Sequence, residues 1–494
     1  MGLKASLSKP FAKMAVKKVK KWSENPLETQ HKVFLSLIAA ARNTAFGKDH
    51  GFENIRNYED FKKAVAVSDY EGLRKYADRV KKGEANILWP GKPIYLSKTS
   101  GTTSGAKYIP ITKESIPYHI QAARDAILHY IAETGKADFV NDKMIFLQGS
   151  PELDTSGPIP IGRLSGIVAH HVPGYLQRNR LPSLATNTID DWETKVDAVC
   201  KETLPEKMSL ISGIPPWVQM YFEKLLEKSG KKSIKEIFPE FSLFIYGGVN
   251  YEPYRHTMEN LIGKRIDSIE LYPASEGFIA YQDSQKEEGM LLLLDSGIFY
   301  EFIPAEEFGS KNSTRVSLSG VKLGQNYVLI LNTNAGLWGY NIGDTVRFVS
   351  LAPYRIVVTG RIKHFTSAFG EHVIAEEVEK AIAFTSEKTG IEVVEFHLAP
   401  QIKSINGELP YHEWAIEFKE QGLDSTEFSA LLNSKMAELN SYYNDLLEGK
   451  MLQPLKITSI QKDGFQKYMK SKGKLGGQNK LPRLANDRKI ISEL

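Results

Sequence analysis

The residues richest in chemical capacity form one run, Thr99-Ser100-Gly101-Thr102-Thr103-Ser104-Gly105-Ala106-Lys107, and it contains no acid. Glycines let successive backbone N–H groups turn toward a single anion. The Ser and Thr hydroxyls add donors, and Lys107 adds a mobile positive charge. Such a run suits phosphate oxygens. Ordinary surface loops use the same residue types. An unbroken series of hydroxylated residues and glycines closed by lysine nevertheless favours the phosphate reading. The run is not a Walker loop, because Gly101 and Gly105 stand one residue too close and Tyr108 follows the lysine. G-x-G-x-x-G is absent, and Gly101–Gly105 reads G-x-x-S-G rather than the nucleophile elbow G-x-S-x-G. No HExxH occurs, and the adjacent His170-His171 reads as a packing or capping feature rather than a metal site.

Two further islands carry chemistry. Leu271-Tyr272-Pro273-Ala274-Ser275-Glu276-Gly277 follows a strand-like run, which puts Glu276 at a strand exit. A carboxylate there suits Mg²⁺ beside a polyphosphate, with Tyr272 offering a flat face to a base. A helix-initiating Ser-Glu pair would look the same. In Trp338-Gly339-Tyr340-Asn341-Ile342-Gly343-Asp344, Asp344 suits two ribose hydroxyls, although an isolated aspartate of this kind is an ordinary turn residue.

Strands and helices must position these islands. Apolar spacing predicts helices over Leu27–Phe46 (closed by Gly47), Ile116–Glu133 (closed by Gly135), Thr188–Glu202 and Pro216–Lys228. Met144–Gln148, Phe241–Tyr246, Tyr327–Leu331 and Tyr354–Val358 read as strands, and Leu291–Pro304 as a hairpin around Asp295-Ser296-Gly297. After Gly360 the order becomes helix (Glu376–Lys388), two strands (Glu392–Pro400, Tyr411–Phe418), helix, strand (Leu455–Ser459). Asp424 stands three before Glu427, which resembles a capping box opening that second helix. This order suits a small sheet with helices on one face. The expected division is a large unit over 1–359, a hinge at 360–363 and a small α+β unit over 364–494.

Composition bounds the partners. Of 494 residues, 42% are hydrophobic and 25% charged, ordinary for a globular protein. The longest apolar runs fall far short of a membrane span. One cysteine, Cys200, excludes an intramolecular disulfide and a CxxC zinc site, and fits the cytoplasm. The formal charge of +4 is terminal in origin: residues 1–21 hold seven lysines and no acid, and the remainder is slightly acidic. A wide basic face for nucleic acid is therefore not expected. The lysine-rich segment reads chiefly as a solvated helix packing its apolar side on the domain. A helix lying on an anionic membrane surface through Leu3, Phe11, Met14, Val16 and Val19 is the second reading. Met1-Gly2-Leu3-Lys4-Ala5-Ser6 also matches a myristoylation pattern, relevant only in a eukaryote. No exposed coiled-coil pattern argues for assembly, so a monomer is expected.

Taken in order, the islands resemble the adenylate-forming superfamily, and within it the auxin-responsive acyl acid–amido synthetases, a plant family with bacterial relatives; the chain looks like a bacterial-type member. The resemblance extends from Thr44-Ala45-Phe46-Gly47 and Tyr58-Glu59-Asp60-Phe61 through Ile87-Leu88-Trp89, Ser212–Trp217, Tyr272–Gly277 and Tyr340–Asp344. It implies an α/β adenylate-forming fold, a large domain plus a small mobile one. It further implies that Thr99–Lys107 grips the β- and γ-phosphates of ATP, that Glu276 holds Mg²⁺, and that Tyr272 and the Tyr246-Gly247-Gly248-Val249 turn flank adenine. Asp344 and Arg361 would hold the ribose, Lys363 would mark the hinge, and Lys480 (or Lys474) would assist adenylation. One departure stands out: Gly339 and Asn341 occupy positions where the plant proteins carry arginine. The implied activity joins a carboxylic acid to an amino acid through acyl-AMP. A carboxylate–CoA ligase using the same first half-reaction, a silent nucleotide-binding module and a kinase-type NTPase are the alternatives.

Overall fold

The computed structural model describes residues 3–102, 105–172, 174–177, 179–189, 192–248, 251–310, 313–362, 365–366, 368–369, 371, 373–402, 408–472 and 481–494. The chain forms two compact units. The larger comprises Met1–Thr99, Lys107–Ile189 and Lys195–Ile362, and the smaller Ser100–Ala106, Asp190–Thr194 and Lys363–Leu494.

The first strands, β1 (Tyr95–Thr102) and β2 (Gly105–Ile111), lie side by side, with Tyr95–Thr99 and Lys107–Ile111 counted in the larger unit. The next strands are β3 (Lys143–Phe146), β4 (Ile161–Gly162), β5 (Arg180–Leu181), β6 (Met208–Ser212), β7 (Leu243–Gly247) and β8 (Asp267–Ala274). Here β4 joins β1 in parallel, pairing Leu96 with Ile161. The others form a parallel run ordered β5-β3-β6-β7-β8. The near-continuous apolar sequences of β6 and β7 follow from burial on both faces.

The sheet continues through antiparallel neighbours. These are β9 (Gly277–Tyr281), β10 (Met290–Leu292), β11 (Ile298–Pro304), β12 (Val316–Ser317), β13 (Asn326–Thr333), β14 (Tyr340–Leu351) and β15 (Tyr354–Arg361). They follow β8 in the order β9-β10-β15-β14-β13-β11-β12. The hairpin expected around Asp295-Ser296-Gly297 does not form: β10 pairs with β9 and β15, and β11 with β12 and β13. Gln30, buried on the helix Pro26–Ala41, explains this. Its Nε2 donates to the carbonyls of Leu294 (2.8 Å) and Ile298 (2.9 Å), and its Oε1 accepts from Tyr300 N–H (3.0 Å). One amide thus satisfies the backbone groups that a hairpin ladder would have paired.

The predicted helix Leu27–Phe46 is two helices, Pro26–Ala41 and Ala45–Asp49, the second capped by Thr44 Oγ1 accepting from Gly47 N–H (3.0 Å). Gly47 therefore does not close a helix. A Cβ there would lie 2.2 Å from the Ala41 carbonyl oxygen, so glycine permits the tight reversal. The helix Ile116–Thr134 does end at Gly135, at φ 71°. The helix Ala45–Asp49 and the segments that follow it pack around Trp338, which stacks on Phe46 and Trp89, meets Phe52 edge-on, and donates from Nε1 to the Leu88 carbonyl (3.1 Å).

The smaller unit contains the short pair β16 (Phe365–Thr366) and β17 (Val373–Ile374), and a sheet of β18 (Val393–Gln401), β19 (Tyr411–Phe418) and β20 (Lys456–Ile460). Of these, β18 and β19 run antiparallel, whereas β19 and β20 run parallel. Helix Ala375–Thr389 stands where expected, but the single helix expected before β20 is two, Thr426–Leu439 and Ser441–Glu448, because Asn440 Oδ1 accepts from Tyr443 N–H (2.8 Å) and caps a new helix. The capping box does not form: Ser425 is the N-cap, while Asp424 Oδ1 accepts from Thr426 N–H (3.0 Å) in a local turn. A buried pair anchors the start of this unit, where Glu371 accepts from Phe369 N–H (2.7 Å) and pairs with His412 Nε2 (2.9 Å).

Candidate active site

The four loops leaving the carboxyl ends of β3, β6, β7 and β8 carry Gln148, Gly213, Gly247-Gly248 and Ser275-Glu276. The carboxyl edge of a parallel run is where open α/β sheets bind ligands. Glycine lets two of these exits approach. A Cβ on Gly247 would lie 2.5 Å from the Leu271 carbonyl oxygen, and one on Gly277 2.5 Å from Ile298 Cδ1.

Glu276 sits in the two-residue connection between β8 and β9, at 8% exposure. The phenol of Tyr340, fully buried at the start of β14, donates to Glu276 Oε1 (3.3 Å) and accepts from Lys107 Nζ (3.4 Å). These distances are long for hydrogen bonds, so the three groups form a loose line rather than a locked triad. Burial, reinforced by Glu276, holds the Tyr340 phenol well above its ordinary pKa, so it stays a neutral donor. Nearby, Ser97 Oγ on β1 and Ser275 Oγ share a 2.8 Å hydrogen bond, which ties the base of the hydroxyl-rich hairpin to the Glu276 turn.

Tyr272 and Asp344 form a second cluster. The Tyr272 phenol, buried on β8, donates to Asp344 Oδ2 on β14 at 2.5 Å. The register partner of Asp344 across β14 and β15 is Arg361, and Ile362 N–H donates to the Gly343 carbonyl (2.9 Å).

The two departures in this motif have structural reasons. Gly339 adopts φ 54°, and a Cβ there would lie 2.6 Å from the Ala66 carbonyl oxygen. The segment before Ser68 runs directly over it: Ser68 N–H donates to the Gly339 carbonyl (2.9 Å), and Asn341 N–H to the Ser68 carbonyl (2.8 Å). Asn341 Oδ1 accepts from Gly343 N–H (2.8 Å) and so shapes the turn that delivers Asp344. Arginine offers no acceptor for that role.

The described residues of Thr99–Lys107 lie on strands: Thr99, Ser100, Gly101 and Thr102 on β1, and Gly105, Ala106 and Lys107 on β2. Thr103, Ser104, Val249, Lys363, Lys474 and Lys480 lie outside the described residues. Tyr340 and Ser97 are the positions that residue-by-residue reading passed over. Tyr340 stood inside a quoted motif, whereas nothing in the sequence marks Ser97.

Other candidates are structural. His170 Nε2 bonds the Pro151 carbonyl (2.7 Å), and His171 Nε2 the Tyr95 hydroxyl (3.2 Å). Cys200 is buried and its thiol is pushed up to about 12 by that burial, which makes it a poor nucleophile. Among the described residues no three His, Cys, Asp or Glu cluster as a protein metal cage. The donor set fits Mg²⁺ in its usual enzyme form, one or two carboxylates with substrate oxygens completing the shell.

Comparison with known proteins adds three findings. Residues 15–178 match the GH3 family N-terminal domain, 291–361 its central domain and 376–489 its C-terminal domain. Among relatives, an indole-3-acetic acid-amido synthetase, GH3.3 of Arabidopsis thaliana, is 21% identical over 97% of this chain and 93% of that protein. A jasmonoyl–L-amino acid synthetase, JAR4 of Nicotiana attenuata, is 21% identical over 64% of this chain and 66% of that protein. The fold is shared with a solved structure, the AtGH3.15 acyl acid amido synthetase in complex with 2,4-DB. The TM-score is 0.63 at 16% identity, over 97% of this chain and 95% of that one.

Proposed function

This chain belongs to the GH3 family, and on that premise we propose that it is an ATP-dependent acyl acid–amido synthetase. The supporting observation is the convergence, within the larger unit, of Lys107 on β2, Tyr340 on β14 and Glu276 in the β8–β9 connection, beside the Tyr272–Asp344 pair on β8 and β14.

In this reading a carboxylate oxygen of the acid attacks the α-phosphorus of ATP. The bond to the bridging oxygen breaks, and pyrophosphate leaves with that electron pair. The nitrogen of an amino acid then attacks the acyl carbon, AMP departs, and the amine gives up a proton as the amide forms. The chain contributes positioning and charge stabilisation. The β1–β2 hairpin supplies donors to the outer phosphates, Lys107 neutralises charge on them, and Asp344 with Arg361 orients the ribose. Glu276 would hold Mg²⁺, which when bound offsets charge on the phosphates. Tyr340 keeps Glu276 and Lys107 in register. We also propose a large unit over 1–359, a hinge at 360–363, and a mobile unit over 364–494 whose Lys480 assists adenylation. A bacterial-type membership is part of this proposal, whereas the relatives reported above are plant proteins.

The test is product identity. Incubation with ATP, Mg²⁺, a panel of carboxylic acids and amino acids or CoA should release AMP and pyrophosphate and yield an amide by mass. Thioester without amide would establish a CoA ligase, and ADP as the nucleotide product would overturn the reading altogether.

A further inference from the structure

The first helix, Leu3–Ser23, uses two opposed faces. Ala5, Ala12 and Val19, spaced by seven, are buried against Ala122, Ala126 and Tyr130 of the helix Ile116–Thr134. Small residues on both sides let the helices approach closely. The other face presents Leu7, Phe11 and Met14 at i, i+4 and i+7, which are 54%, 62% and 68% exposed. Three large apolar side chains aligned outward on one stripe are not explained by packing within the fold. Around them Lys13, Lys17, Lys18, Lys20 and Lys21 are exposed, and the helix contains no acid. Among the described residues the acids recorded against these lysines are Glu24, 3.5 Å from Lys20, and Asp295, whose carboxyl burial pushes up while Lys18 opposes that rise.

We propose that this face docks on an anionic lipid bilayer, with Leu7, Phe11 and Met14 entering the headgroup–acyl boundary and the lysines meeting lipid phosphates. The combination carries the assignment. A polyanion such as nucleic acid would use the lysines and have no need of the apolar stripe. A second copy docked face to face through a two-fold axis would set lysine against lysine. A bilayer with anionic lipid satisfies both features at once. The larger unit would then be tethered through a helix that belongs to its own core, with the carboxyl edge of the sheet unaltered.

Sedimentation of the full chain with vesicles tests this, using phosphatidylcholine alone or with about one-third phosphatidylglycerol. The expected result is binding to the anionic vesicles only, weakened by salt. The triple substitution Leu7→Ser, Phe11→Ser, Met14→Ser should lower partitioning roughly tenfold or more, with an unchanged melting temperature because all three side chains are exposed. Lys13→Glu, Lys17→Glu, Lys21→Glu should do the same independently. Absence of wild-type binding would overturn the proposal, as would full binding by the folded apolar triple variant. A lipid-free dimer that the triple variant converts to monomer would assign the face to a second copy instead.

Discussion

The Tyr272 phenol donates a 2.5 Å hydrogen bond to Asp344 Oδ2, which joins the last parallel strand of the sheet to a strand 72 residues later in the chain. Two residues that sequence reading assigned to separate jobs, base and ribose, are therefore one structural pair. Tyr272→Phe keeps the ring and removes the bond. Hydrogen bonds to charged groups are worth about 1.5–3 kcal/mol, so kcat/KM for ATP should fall roughly tenfold to a hundredfold. Acid-dependent ATP–pyrophosphate exchange measures this. An unchanged ATP dependence would separate Asp344 from nucleotide binding.

Glu276 and Tyr340 should separate by magnitude. Glu276→Gln removes the charge proposed to hold Mg²⁺ and should lower the adenylation rate by about 10²–10³ while raising the Mg²⁺ requirement. Tyr340→Phe only loosens the line between Lys107 and Glu276, so a loss of about tenfold is expected. Pyrophosphate release titrated with Mg²⁺ distinguishes the two, because the Tyr340 variant should keep its metal dependence.

Installing the arginines of the plant proteins should have unequal consequences. Gly339→Arg forces a side chain at φ 54° into the Ala66 carbonyl, and a loss of about 2–4 kcal/mol is expected. Asn341→Arg removes one turn hydrogen bond on a partly buried residue, at a cost of about 1 kcal/mol. Urea unfolding of both variants provides the comparison. Equal stability would mean that the Ala66 segment shifts freely.

Stability should decline in acid through His119, which is buried on the helix Ile116–Thr134 and held by desolvation at about 4, against an ordinary 6.5. The unfolded chain takes up this proton as pH falls through 6.5, and the folded chain only near 4. Stability therefore stays level above that window and drops within it, by up to about 3 kcal/mol. His129 is lowered in the same direction, chiefly by burial. Unfolding free energies measured from neutral pH to about pH 4 should show the slope, and His119→Leu should flatten it.

Local features were readable because local physics sets them. Gly135 ends its helix where a left-handed residue is needed, and Tyr411–Phe418 forms the strand expected of it. Much of the resemblance proved to lie in packing rather than chemistry. Phe46, Phe52 and Trp89 surround Trp338 in the core, and that core fixes where β14 begins. The expected hairpin failed through a partner distant in sequence, Gln30, which separates β10 from β11. At position 47 the cause is a close approach that residue spacing does not show, the Ala41 carbonyl leaving no room for a side chain.

The amino-acid sequence by itself determined which groups exist for chemistry: a hydroxyl-rich run closed by Lys107, a carboxylate at a strand exit, and an aspartate after Asn341 and Gly343. It also determined that the first helix carries lysines without acids. Tertiary structure decided which of these meet. Tyr340 came between Lys107 and Glu276, and Tyr272 against Asp344, because sheet order sets long-range neighbours and residue spacing does not encode it. It likewise decided which face of the first helix stays outside. Ala5, Ala12 and Val19 fit closely against another helix, and the larger Leu7, Phe11 and Met14 were left facing out.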